Sequence, residues 1–272
     1  MIGETRLTMP RSGPVSGLSP LAALVRRHDR DRFQTALFAP PRQREGLFAL
    51  YAFNYEIARV RETVTAPILG QIRLQWWRET IEAAYSGAAP RHHEIVEPLT
   101  AIIREYRLDR AEFDRLIDSR ERDLDEAPPP DLAALEAYAE ASSGSLSRLA
   151  LDLWEVRGAA AQDAGCSVGT AYALAGLLRA APFHARMNRS YLPPGISAVE
   201  IAAMARRRLA DARAHRGAIP RTAIAAVLPA VIASHFLHRL ERAGYDPYAP
   251  ELTRPDILQS CNTTGVSEIF RK

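Results

Sequence analysis

Lysine is all but absent from this chain: of its 35 basic residues Lys272 is the one lysine, and the rest are arginine. That bias fits the alanine-rich composition expected of GC-rich coding. It also makes the cations planar forks suited to carboxylates and phosphates, so a phosphate-bearing partner stays open. Cysteine is nearly missing too. Cys166 and Cys261 lie far apart in sequence, which gives neither a disulfide framework nor zinc-ligand spacing, and a reducing compartment is expected. Long apolar runs are lacking: residues 223–237, the longest, contain Pro229 and His235 and fall short of the roughly 18 apolar residues a spanning helix needs. This run is expected to be a buried helix, or at most one touching a membrane surface. The first nineteen residues have no apolar core of signal-peptide length, and Arg6 and Arg11 make a poor presequence, so no targeting segment is expected. No internal repeat, strand alternation or glycine-rich phosphate loop is present. An isoelectric point near 9.0, without aromatic platforms or a groove-reading motif, gives no support for a nucleic-acid partner.

What is present is helix. At 272 residues, with 47% hydrophobic and 25% charged residues and a net charge of +3, the chain suits one large folded domain. Ser19 and Pro20 read as the N-cap and first turn of a helix over 21–27. The alternating charges of HDRDRF, residues 28–33, read as a solvated helix flank. Helices follow over 47–64, 70–84, 99–106, 110–124, 132–140, 165–184, 197–216 and 222–242, the last broken by Pro229; Pro182 is expected to kink or end the helix over 165–184. The fold class is all-α. The expected division is a flexible N-terminal segment over 1–18, one domain over 19–255, and a tail of changed composition over 256–272.

The stretch LFALYAFNYEIARVRETV, residues 47–64, is the most informative. At helical pitch Leu50, Phe53, Ile57 and Val60 share an apolar face, while Tyr51, Tyr55, Ala58 and Glu62 share a neighbouring one that resembles a cavity wall. Positions 58 and 62 have the spacing at which two carboxylates on one helix share a divalent cation, yet only Glu62 is acidic. Trp76 and Trp77 suggest an aromatic wall, although adjacent positions cannot face the same way and at least one belongs in the core. His92 and His93 are adjacent, unlike metal ligands on a helix, and are expected to be exposed. Asp118 and Asp123, five apart, make no tidy ligand pair. Ser142, Ser143, Gly144 and Ser145 lack both a general base nearby and a preceding strand, so they are read as a site of close helix approach. On the helix over 165–184, Ala173, Gly176 or Leu177, Ala180 and His184 advance along one face.

Four blocks, LYAFNYEIARVRETV with IRLQWW, then IDSRERDLDE, then GLLRAAPFHARMNRSYLPP, occur in an order that resembles the squalene/phytoene synthase family over residues 19–255. The resemblance implies a single-domain isoprenoid-synthase-type helical bundle with a central cavity. It also implies a mechanism in which two aspartate-rich helix segments hold magnesium against prenyl diphosphates. Carried over by position, those segments fall on Ala58 and Glu62 and on Ala180 and His184, so no aspartate stands at any of the four positions. Tyr55 takes the place of a cavity arginine, and Ala173 and Gly176 take those of a glutamine and an asparagine. Arg179, Asp123 with Leu124, Tyr138 and the run over 189–193 keep the family pattern.

No catalytic residue and no metal or other cofactor is therefore expected. The candidate cavity or ligand-binding residues are Tyr51, Tyr55, Glu62, Trp77, Arg179, Arg189 and Tyr191. Arg59, Arg61, Arg179, Arg186, Arg189 and a protonated His184 would suit an anionic lipid head; in the other reading, several of these arginines face solvent or pair with Glu56, Glu62 and Glu79. The motif NxEIARVRE and its partner IRLQWW resemble most the branch of the family formed by assembly factors of respiratory complex I. That branch implies a non-catalytic protein, a complex I subunit or assembly intermediate as partner, an isoprenoid or anionic lipid as ligand, and a cytoplasmic location at most peripheral to a bacterial inner membrane. Two alternatives stay open. One is a divergent head-to-head prenyltransferase with magnesium held by Glu62 and Asp118 or Asp123; the other is a membrane-surface module using the arginines over 206–216.

Overall fold

The structure, a computed structural model, describes residues 17–125 and 127–252, and these form helices and turns without a strand. The expected segments over 1–18 and 256–272 lie wholly or almost wholly outside the described residues. Helix α1, Pro20–His28, starts where the Ser19 hydroxyl accepts from the Ala22 N–H. Asp29 then ends α1 and caps α2, Arg30–Ala36, by accepting from the Arg32 N–H. Helix α3, Pro41–Ala58, carries buried residues all round its middle turns, from Leu47 to Phe53, which makes it a central rod of the bundle.

The stretch over 47–64 is not one helix. It slips at Arg59, where the Glu62 N–H bonds back only three residues to the Arg59 carbonyl, and a short α4, Val60–Thr63, follows. Leu50, Phe53, Ile57 and Val60 are all buried, as their shared face requires.

Helices α5, Pro67–Tyr85, α6, Val96–Tyr106, and α7, Arg110–Glu121, come next, and a 3-10 turn over Arg122–Leu124 closes α7. Helix α8, Leu132–Ala139, begins at the Asp131 cap and passes through a π-helical turn, Glu140–Gly144, into α9, Ser145–Asp152. The second rod is α10, Ala159–Arg186. Pro182 does not end it; the helix runs one further turn. Helix α11, Ala198–Ala214, opens on a capping box between Ser197 and Glu200, and α12, Ile224–Val227, meets α13, Pro229–Arg242, at a bend of 48° before Pro229. No single helix among the described residues is long and apolar enough to cross a membrane.

The serine-rich patch is the point of closest helix approach. A Cβ at Gly169 on α10 would stand 2.1 Å from the Ser143 carbonyl oxygen, and one at Gly165 would stand 2.5 Å from a Leu151 methyl group. Two turns further along α10 the situation reverses: a Cβ at Gly176 would meet nothing within 4 Å, so this part of α10 borders open space. Trp77 lies in the core, edge-on to Phe53 at 5.1 Å, while Trp76 stays half-buried at the surface.

These two glycines make opposite demands. Gly169→Ala should lower stability by about 2 kcal/mol or more through the backbone collision. Gly176→Ala should be neutral or stabilising by up to about 1 kcal/mol through helix propensity. Thermal unfolding of the two variants, followed by circular dichroism, tests the pair.

Candidate functional site

The flank over 28–33 is solvated only in part: His28 and Arg30 are exposed, but Arg32 and Phe33 are buried. Its Arg32 side chain is buried between the two long helices, over the Tyr172 ring of α10 at 4.7 Å and the Tyr51 ring of α3 at 5.6 Å. Asp29 accepts from its Nη1 at 2.9 Å and the Ser143 hydroxyl from its Nη2 at 2.8 Å. The charge alternation hid this because α2 is short and its second turn faces inward, burying Arg32 with Phe33 and Thr35. Burial works against the guanidinium charge, but Asp29 and the neighbouring tyrosines outweigh it, and its pKa ends above the ordinary value. Beside it Arg179 binds Asp31 at 2.7 Å, with the Tyr172 hydroxyl near the same carboxylate.

A second network fills the space between α3, α7 and α8. Arg120 Nη2 donates to the Asn54 side-chain oxygen at 3.2 Å, and its Nη1 donates to the Tyr138 oxygen at 2.8 Å and to Asp123 at 3.3 Å. The Tyr138 O–H in turn donates to Asp123 at 2.8 Å. Burial pushes the Asp123 carboxyl above its usual range despite Arg120 and Tyr138, and pushes the Tyr138 hydroxyl up as well. The Arg120 Nε is buried and has no acceptor. Arg32 and Arg120 lie near enough for their charges to oppose each other.

The network opens into a pocket of about 420 Å³ lined by Asp123, Tyr138, Arg61, Arg122, Arg189 and Tyr191, among others. Arg61, Arg122 and Arg189 have no ion-pair partner among the described residues. The positions expected to match the two metal segments come near this pocket without forming a donor set. Ala58 and Ala180 are half-buried, and Glu62 is exposed with its charge felt at the Tyr191 hydroxyl. His184 packs on the Tyr191 ring at 4.6 Å. The protonated form considered for His184 is not favoured, since burial and the Arg189 charge lower its pKa below the ordinary 6.5. Asp118 is exposed and held by Arg78 at 2.6 Å, away from Asp123. Among the described residues no three His, Cys, Asp or Glu side chains gather where a metal ion could be held.

Of the seven residues expected to line a cavity, Arg189 and Tyr191 line this pocket. Tyr51 and Arg179 belong to the Arg32 cluster. Tyr55 stacks on His28 at 4.2 Å and under Arg59, which pairs with Glu56 at 3.2 Å. Arg206 and Arg208 on α11 are spent on Glu241 and on Glu136 with Glu140, while Arg207, Arg213 and Arg216 form no ion pair among the described residues. Arg32, Asn54 and Arg120 were missed. Asn54 did carry a signal, a lone amide inside an otherwise apolar and aromatic run, and Arg120 stands at helical spacing before Asp123.

Asp123→Asn would strand a buried guanidinium and should cost about 3–5 kcal/mol in urea unfolding. In a proton NMR titration His184 should show a midpoint below 6.5 that rises in Arg189→Gln. A midpoint at or above 6.5 would contradict the placement of that ring.

Residues 25–196 match the squalene/phytoene synthase family. The complex I assembly factor 6 of NADH dehydrogenase (ubiquinone) from Bos taurus is 28% identical over 257 residues, spanning 86% of this chain and 77% of that protein. A presqualene diphosphate synthase of Rhodopseudomonas palustris is 30% identical over 164 residues, or 59% of this chain and 57% of its own length. Among solved structures, a dehydrosqualene synthase in complex with ligand superposes with a TM-score of 0.78 at 16% identity, covering 92% of this chain and 94% of that one, a likeness of fold. With its all-α bundle and the match over most of the described helices, this chain belongs to the squalene/phytoene synthase family.

Proposed function

We propose that the chain is a non-catalytic member of its family that takes part in the assembly of respiratory complex I and holds an isoprenoid or an anionic lipid in the pocket at Tyr138 and Tyr191. The observation that carries this reading is the occupation of the interior by paired guanidinium groups. Magnesium takes a shell of oxygen ligands, mostly carboxylate and water. Here the equivalent positions offer one exposed carboxylate, Glu62, one imidazole, His184, and two alanines. Asp123, the buried acid nearest the pocket, is already committed to Arg120 and Tyr138. The residues present do not fit the ion, and a divalent cation would also meet the charges of Arg120 and the pocket arginines at close range.

The assembly role is supported by the relatives named assembly factor 6, which align along most of this chain. A lipid ligand is supported by the three arginines at the pocket that have no ion pair among the described residues, the unmatched Arg120 Nε, and the open space beside Gly176. Guanidinium forks bind phosphate or carboxylate oxygens two at a time and need no bridging metal.

Deleting the gene from its host should lower assembled complex I and its NADH:ubiquinone oxidoreductase activity several-fold, and the wild-type gene or a Glu62→Gln variant should restore both. Purified protein given geranylgeranyl or farnesyl diphosphate with magnesium should release no diphosphate. Unchanged complex I in the deletion strain would remove the assembly role, and steady diphosphate release would establish a prenyltransferase instead.

A further inference from the structure

Helices α3 and α6 leave a groove between them beside the start of α1. On α3 it is lined by Glu45, Gly46 and Ala49, and on α6 by Pro98, Ala101 and Ile102, each set at the spacing of one helix face. Gly46, Ala49 and Ala101 are too small to fill the space, which has a volume of about 510 Å³. Leu21, Ala49 and Ile102 make the floor apolar. The charges around it are unbalanced. Three glutamates, Glu45, Glu94 and Glu105, line the groove against one arginine, Arg42. That arginine is bound to Glu105 and lies over the Tyr106 ring at 5.5 Å, so it is already engaged. Glu45 accepts from the Ser19 hydroxyl at 2.8 Å, and neither it nor Glu94 has an ion pair among the described residues. In a chain with a net charge of +3, this patch is locally acidic. It shares no residue with the pocket at Tyr138 and Tyr191.

We propose that this groove docks a basic segment of a partner protein, a peptide that seats an apolar side chain on Leu21, Ala49 and Ile102 and brings arginine or lysine to Glu45 and Glu94. Charge complementarity selects the occupant. Nucleic acids, anionic headgroups and acidic peptides would meet two carboxylates and find no free cation. A wholly apolar ligand would strip water from Glu45 and Glu94 and return no counter-charge. A basic peptide gives each carboxylate a charge-assisted hydrogen bond while its apolar side chain covers the floor, and the volume lies in the range of roughly 300–1,000 Å³ usual for ligand sites. The inference stands whether or not the partner belongs to complex I, because it rests on the groove alone.

Random dodecapeptides displayed on phage and selected against the full chain should yield sequences in which arginine or lysine flanks an apolar residue. Fluorescein-labelled synthetic copies, titrated by fluorescence anisotropy, should bind more weakly as salt is raised. Glu45→Gln with Glu94→Gln should lose about tenfold in affinity and most of that salt dependence. Ala101→Trp, which fills the groove from an exposed position, should lose about tenfold as well. Asp211→Asn, an exposed acid on α11, should change nothing. Melting curves establish that each variant is folded. The proposal is overturned if selection yields no basic and apolar sequence, or if the folded groove variants bind the peptides as the wild type does. Peptides that bind only after residues 1–16 are removed would overturn it too, and would assign the groove to the chain's own leading segment.

Discussion

Two guanidinium groups, Arg32 and Arg120, stand inside this bundle close enough to repel one another, and each survives there only because a carboxylate and a hydroxyl meet it in place. Stripping the partner from such a buried pair costs about 3–5 kcal/mol, a large part of what a domain has in reserve. That cost fixes the local chain path. Asp29 must both cap α2 and face Arg32, so the turn between α1 and α2 has little freedom. Asp123 must remain in the 3-10 turn after α7 to reach Arg120 and Tyr138 together, which ties α7 to α8 although the proline-rich segment between them does little to join them.

The same constraint determines what the pocket offers a ligand. Asp123 lines it but points its charge into the network, and Tyr138 donates its proton inward to that carboxylate. Of the charged and aromatic groups that remain outward-facing, Arg61, Arg122, Arg189 and the half-buried Tyr191 outnumber the one exposed acid, Asp125. His184, neutral beside Arg189, adds a ring surface rather than a charge. The side chains left facing the pocket thus place three guanidinium groups and the Tyr191 ring beside the carboxylate of Asp125.

The fold was legible in the sequence because its signals are local. Ser19 with Pro20, the apolar face of Leu50, Phe53, Ile57 and Val60, and the small residues over 142–145 each point to one arrangement, and each was found in it. The site was legible only where family pattern reached it, at Asp123, Tyr138, Arg189 and Tyr191. Arg32 was misread because burial is a tertiary property: a charged alternation on a seven-residue helix looks the same whether the helix lies on the surface or wedges between α3 and α10. The break at Arg59 was invisible for a related reason, since a one-residue slip from four-residue to three-residue hydrogen bonds leaves the side-chain period almost intact over so short a run.

Charge balance connects the interior with the rim. A net charge of +3 suggests a nearly neutral surface, but the acids are unevenly spent. Asp29, Asp31 and Asp123 neutralise cations in and around the interior, and Glu56, Glu136, Glu140 and Glu241 hold arginines of α3 and α11. Each acid drawn into such a pair is unavailable at the pocket mouth, where Arg61, Arg122 and Arg189 have no ion-pair partner among the described residues. With no lysine in the described residues, every one of these cations is a fork that stays charged at any physiological pH. The positive field at that end is thus a by-product of how the interior is neutralised, and it falls where Met187, at the end of α10, is also left exposed.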